Sequence, residues 1–318
     1  MLAALFLLVS IATSATTLYV TPTGSGQGNS WATAFGDLQA ALKAAKAGDE
    51  IWVAQGTYLP SRHNRSASFH IPNQVRVYGG FNGTETLVSQ RNSELYLTVL
   101  SGDLGAEGKE GNVYSVVTFK QASAATVLDG FVISGGYANG DKPTGHPARC
   151  GGGLFNDGSN GSSTPTIANC VFTNNNARDG GAVYNLGLAG KSSPTFTNCI
   201  FKNNSADIDG GAVYNDGRQG GSSSPVFDNC RFEDNMASYG AAIFIGEGNN
   251  DCNFEVRKCV FQRNAAYLWG GGIYSLTAGN CNLKLSYCKF VDNYPTNINK
   301  RRSHTQDIEG MAVLLTNK

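Results

Sequence analysis

From residue 150 onward two short patterns alternate, and they constrain the fold more than anything else in the chain. The first is Asn169-Cys170-Val171-Phe172-Thr173-Asn174-Asn175, returning as Asn198-Cys199-Ile200-Phe201-Lys202-Asn203-Asn204 and Asn229-Cys230-Arg231-Phe232-Glu233-Asp234-Asn235. It returns again, shortened, at Cys259 to Asn264 and Cys288 to Asn293. The second is a glycine element: Gly151-Gly152-Gly153-Leu154, Gly180-Gly181-Ala182-Val183, Gly210-Gly211-Ala212-Val213, Gly240-Ala241-Ala242-Ile243 and Gly270-Gly271-Gly272-Ile273. Both recur every 29 to 31 residues. So constant a period defines a solenoid in which each unit touches its neighbours.

The residues within one unit say which solenoid. Helical repeats need runs of strong helix formers, whereas these units hold short β-type segments separated by Gly, Ser, Asn and Pro. The expected fold is all-β: a single-stranded, right-handed parallel β-helix, each coil lying on the last at the interstrand spacing of about 4.8 Å. Equivalent positions then form columns. Cys170, Cys199, Cys230, Cys259 and Cys288 make one, and Phe172, Phe201, Phe232, Phe261 and Phe290 a second on the same face. Ile167, Phe196, Phe227, Val256 and Leu285 make a third, at an odd offset that requires a bend, for which Asn169, Asn198 and Asn229 are suited. Asn175, Asn204, Asn235, Asn264 and Asn293 make a fourth, where stacked amides can bond along the axis.

Composition and the N-terminus set the class. A 41% hydrophobic fraction supports a real core despite 40 glycines, and 24 basic against 24 acidic side chains leave no basic excess for nucleic acid. Residues 1–15 have the short apolar run and small-residue end of a signal peptide, although no Lys or Arg precedes the run; a secreted or extracellular protein is expected, with association at an outer-membrane surface as a further option. No later stretch is long enough for a membrane helix.

The paired glycine and Phe-x-x-Asn elements resemble the repeats of polymorphic outer-membrane proteins, a family of β-helical surface proteins and adhesins. The resemblance spans roughly residues 150 to 293, and it implies surface display; those proteins also carry a C-terminal membrane β-barrel, for which this chain has no room. The opening, Thr17-Leu18-Tyr19-Val20, Trp31 and Gly48-Asp49-Glu50-Ile51-Trp52-Val53 through Tyr58, is similar to that of many secreted β-helix proteins, pectate lyases included. Phe35, Leu38, Ala41, Leu42 and Ala45 recur at helical spacing, with Gly48 as C-cap, and such a helix would cover the first coil. The expected organisation is therefore a signal peptide (1–15), a cap and first coil (16–60), irregular coils (61–149), regular repeats (150–293), and an insertion with an incomplete last coil (294–318). In that last part Tyr294 to Asp307 is an insertion, after which Gly310-Met311-Ala312-Val313 restarts the glycine element.

Chemistry-bearing residues are sparse. Five of the eight cysteines fall in the inward column, where a thiol acts as a small hydrophobe; Cys252 and Cys281 stand one coil apart, either bridged or as stacked thiols. The spacing of the cysteines and of His63, His70, His146 and His304 matches no metal site. The column before the glycines reads Cys150, Asp179, Asp209, Tyr239, Trp269, and two positions earlier Ala148, Ala177, Asp207, Ala237, Tyr267. Asp179, Asp207 and Asp209 would then stand beside Tyr239, Tyr267 and Trp269. Carboxylates about 5 Å apart can serve as a glycosidase pair or share Ca2+, and flat aromatics can stack on sugars. The plain alternative is that these residues simply suit a turn before two glycines. The Asp-Asp and Gly-His-Gly elements of polygalacturonases and the Arg-x-Pro-x-x-Arg pattern of pectate lyases do not occur. The expected role is a structural or adhesion module that binds polysaccharide or cell-surface glycans, with a polysaccharide lyase or glycoside hydrolase as the alternative.

Overall fold

Segments of three to five residues cannot stand alone as strands, so each finds its partner one coil away. The computed structural model describes residues 15–105, 107–248, 253–276, 282–300 and 314–316. Its strands stack in parallel into a right-handed solenoid of about nine turns. One regular coil shows the path: Thr166–Ala168 in a first sheet, Val171–Thr173 in a second, Asn176–Asp179 in a third, and Val183–Leu186 in a fourth. The first two sheets have nine strands each, the fourth has eight and the third only five. The register matches the expected columns: Ile167 lies on Phe196, Phe172 on Phe201, and Val183 on Val213.

The corners follow from residues that accept left-handed backbone. Asn169, Asn198 and Asn229 turn the chain from the first to the second sheet at φ of 50°, 55° and 53°. Asn tolerates this region better than other side chains do. Gly180 at φ +67° turns the third sheet into the fourth, and a Cβ there would come within 2.4 Å of the Val183 carbonyl oxygen. Only glycine satisfies both conditions.

Inside the coil, like sits on like. Phe172, Phe201, Phe232, Phe261 and Phe290 are all buried and stack with ring centroids 5.0, 4.8, 4.7 and 4.5 Å apart. Phe196 and Phe227 meet this stack edge-on, Phe196 at 5.6 Å from Phe201 and Phe227 at 5.4 Å from Phe232. Such pairs add about 0.5–1.5 kcal/mol each beyond their burial. The five column cysteines are buried free thiols, and burial pushes Cys170 up to about 12. Each behaves as a small apolar filler with a weak donor, as where Cys199 Sγ lies 3.6 Å from the Ile167 carbonyl. Cys252 and Cys281 lie outside the described residues.

The asparagine column is a continuous amide ladder. Asn204 Nδ2 donates to the Phe172 carbonyl (3.0 Å) and to Asn235 Oδ1 (3.1 Å), while its Oδ1 accepts from the backbone N–H and the Nδ2 of Asn175, both at 3.1 Å. Asn235 and Asn264 repeat the pattern. A buried primary amide is costly unless its donors and acceptor are matched, and here they are matched by neighbours one coil away.

The ends differ in part from the sequence reading. A helix covers the first coil, burying Leu38, Ala41 and Leu42 in the same core as Val20, Ile51 and Val53. It is shorter than its periodicity suggested: it runs Leu38–Ala44, Asp37 caps it by accepting from the Gln39 N–H at 2.9 Å, and Ala45 is the C-cap. Phe35 precedes it in a bridge to Val20, and Gly48 (φ +96°) instead turns the chain into Glu50–Ala54. At the other end Ile298–Lys300 pairs with Ile273–Ser275, so the strand expected from the glycine element at 310–313 is supplied from within the supposed insertion. Residues 310–313, residues 1–14 of the segment expected as a signal peptide (1–15), and Arg301, Arg302 and His304 of the expected insertion lie outside the described residues. The backbone of Leu314–Thr316 pairs with Lys289–Val291.

Phe201 is flanked on both sides by rings, so a cavity there cannot close by local collapse. Phe201→Ala should cost roughly 3–5 kcal/mol in denaturant unfolding. A loss below about 0.5 kcal/mol, the scale of a neutral surface change, would place this column outside the core.

Candidate functional site

The column before the glycines forms as expected. Cys150 bridges to Asp179, Asp179 pairs with Asp209, Asp209 with Tyr239, and Tyr239 with Trp269. The column two positions earlier does not. Ala177 pairs with Ala206, and Ala237 with Ala266, so Asp207 and Tyr267 leave the column assigned to them. The reason is a length mismatch. Asn176–Asp179 and Met236–Tyr239 span four residues, whereas Ser205–Asp209 and Ala265–Trp269 span five. With the asparagine corner fixed at one end and the glycine corner at the other, the extra residue can only bulge. Asp207 and Ile208 together oppose Arg178, and Tyr267 and Leu268 together oppose Ser238.

The bulges turn apolar side chains outward. Tyr267 is 74% exposed and Leu268 and Trp269 each 48%, values that set them apart from the buried rings of the coil. Between the third and fourth sheets lies a cavity of about 320 Å3, lined by Ile208, Asp209, Tyr239, Phe244, Trp269, Tyr274 and Leu276. Tyr239 is the centre of its aromatic wall, with centroids 5.8 Å from Trp269 and 5.3 Å from Tyr274. Of the six sequence candidates, Asp209, Tyr239 and Trp269 line this cavity. Asp179 is buried one coil below, and Asp207 and Tyr267 are exposed on the bulges.

The residues missed from sequence are Phe244, Tyr274, Ile208 and Leu276. Phe244 and Tyr274 belong to an outward-facing ladder, Phe155, Tyr184, Tyr214, Phe244 and Tyr274, one residue after each aliphatic of the glycine element. Alternation puts this column on the solvent side of the fourth sheet, yet it forms a second apolar cluster with Cys150 and Leu186. Tyr184 donates to Asp216 Oδ2 at 2.8 Å, and Arg218 pairs with the same carboxylate at 2.7 Å while reaching the Thr144 carbonyl. That network fastens residue 144 of the loop before Cys150 over the lower rungs. The upper rungs open into the cavity.

Electrostatics at the site are dominated by burial. Desolvation raises the Asp209 carboxyl to about 7, and the charge of Asp179 adds to the shift while Arg178 opposes it. Asp179 is also raised by burial, despite Arg149 Nε at 3.7 Å and the nearby charge of Arg178. A carboxyl at about 7 is neutral in a large share of molecules near neutral pH, so Asp209 can donate a hydrogen bond or a proton as well as accept one. Among the described residues no three His, Cys, Asp or Glu side chains converge as a metal site, and no helix is long and apolar enough to cross a membrane. A second concavity of about 400 Å3 near Tyr78 and Ser89 has its cation committed: Arg91 is 2.7 Å from Asp129 and also donates to the Gly79 carbonyl.

A family model described as "Right handed beta helix region" matches residues 157–306. Among solved structures the chain is similar to pectin methylesterase PemA from Erwinia chrysanthemi, at 12% identity and a TM-score of 0.47 over 91% of this chain and 81% of that one. It is also similar to a rhamnogalacturonan lyase, at 14% identity and a TM-score of 0.45 over 87% of this chain and 74% of that one. No curated protein matches the chain.

Folding raises Asp209 from 3.8 to about 7, so between these values the folded protein holds a proton that the unfolded chain has released. Its contribution is therefore most favourable at low pH and is lost as pH rises towards 7. Asp209→Asn, which stays neutral, should gain thermal stability relative to the parent as pH goes from about 4 to about 8. A difference in Tm independent of pH would mean that this carboxyl is not perturbed.

Proposed function

We propose that the chain is a secreted or cell-surface β-helical module that binds glycans at the cavity between its third and fourth sheets. The observation that carries the reading is the aromatic wall of Tyr239, Trp269 and Tyr274, with Asp209 among its rings. Aromatic faces suit the C–H surfaces of sugar rings, and a carboxyl that both donates and accepts suits their hydroxyls. Tyr239 and Trp269 are held by backbone pairing on consecutive coils, which places them on a rigid scaffold before any ligand arrives. The stacked coils add length and stiffness, which serve a surface module without special residues.

One observation favours a second reading, a polysaccharide-active enzyme: the Asp209 carboxyl at about 7 has the range of a general acid at neutral pH. An enzyme would release reducing or unsaturated ends from pectin, alginate or xylan, assayed with and without calcium; a binding module would release none.

The double variant Tyr239→Ala/Trp269→Ala should lose at least about tenfold in affinity for any glycan the parent retains, some 1.4 kcal/mol or more, with an unchanged circular-dichroism spectrum. Retention at parental affinity by the double variant would remove this cavity as the binding site.

A further inference from the structure

The cavity is rich in rings. Among its described lining residues, Ile208, Asp209, Tyr239, Phe244, Trp269, Tyr274 and Leu276, the one carboxyl is unaccompanied by any Arg, Lys or His. Two of the guanidinium groups nearby are engaged. Arg218 binds Asp216 through Nε at 2.9 Å and Nη2 at 2.7 Å. Arg149 lies 3.7 Å from Asp179 and donates to the Lys142 carbonyl at 2.9 Å. Arg178 sits on the coil beneath the Asp207–Ile208 bulge, where its charge acts on both Asp179 and Asp209.

Resting on the glycan-binding reading, we infer that this cavity accepts uncharged sugars and rejects uronates. A uronate carboxylate entering it would lose water without gaining a cation from the described lining residues, and burying an unpaired charge is among the costlier things a site can do. It would also stand beside Asp209, whose ionisation a second carboxylate opposes. An uncharged ring meets neither penalty. Its face lies on Tyr239 or Trp269, and its hydroxyls exchange hydrogen bonds with the Asp209 carboxyl in either protonation state. Discrimination is therefore built from an unpaired charge rather than from shape. It should sharpen with pH, because Asp209, facing Asp179 and Arg178, gains charge as pH rises through about 7.

The test compares ligands that differ only in charge. Binding of the intact protein is measured for an array of neutral oligosaccharides, a short oligogalacturonide and the same oligogalacturonide fully methyl-esterified, at pH 5.5 and pH 8. The neutral sugars and the ester are expected to bind, and the free acid to bind at least about tenfold more weakly, with the gap wider at pH 8. In Asp209→Asn the gap should narrow and lose its pH dependence. A free acid that binds as well as its ester overturns the inference while leaving the glycan site standing. Absence of binding by every probe overturns the glycan site itself, and the inference with it.

Discussion

Each coil must lie on the one before it in a single register, and the buried asparagine ladder at the corner between the second and third sheets holds that register. A backbone ladder alone tolerates slippage, since shifting a strand by one residue preserves hydrogen bonds while turning every side chain to the opposite face. The buried amide column does not tolerate it. Asn175, Asn204, Asn235, Asn264 and Asn293 each bond to the neighbour above or below and to a backbone carbonyl of the preceding coil. Moving one coil by a residue would orphan several buried polar groups at once, at about 1–3 kcal/mol each. The phenylalanine stack three residues earlier then falls into line, and the thiols fill the space beside it.

The same constraint produces the candidate site. Pinned at the asparagine corner and again at the left-handed glycine, the third-sheet segment has no freedom to slide. An added residue in the 205–209 and 265–269 segments is expelled as a bulge. Tyr267 and Leu268 on the second bulge, and Trp269 beside it, are exposed to solvent. The pinned register also leaves Asp209 stacked on Asp179 in a partly desolvated floor, where repulsion and burial act together on its proton. Regularity in the repeat makes the rod, and departure from regularity makes the cavity.

Most of the interior was legible because its period is so constant: the Cys, Phe, Asn and first-sheet columns could be written down by counting. Counting failed where the period changes within a coil. Measured back from the glycines, Asp207 seems to stand on Ala177; measured forward from the asparagines, Ala206 does, and the structure follows the asparagines. The outer aromatics Phe244 and Tyr274 were present in the sequence as a recurring ring after each aliphatic, but alternation assigns them to solvent. Only the fold shows Arg218 and Asp216 fastening residue 144 over the lower part of that ladder while its upper part opens. The C-terminal coil was misjudged for a related reason: Ile298–Lys300 lacks the glycine signature yet takes the glycine element's place.

Site-resolved amide hydrogen exchange tests the register account most directly, since protection scales with the free energy needed to open each group. The backbone N–H groups of Asn175, Asn204, Asn235 and Asn264 donate to side-chain Oδ1 atoms of the next coil at 3.1 to 3.2 Å rather than to backbone carbonyls. If these amides hold the register, they exchange with the slowest amides of the first and second sheets, while the bulge amides at 207–208 and 267–268 exchange much faster. Corner amides that exchanged as fast as the bulges would contradict the account, because the coils would then be aligned by the backbone ladders alone.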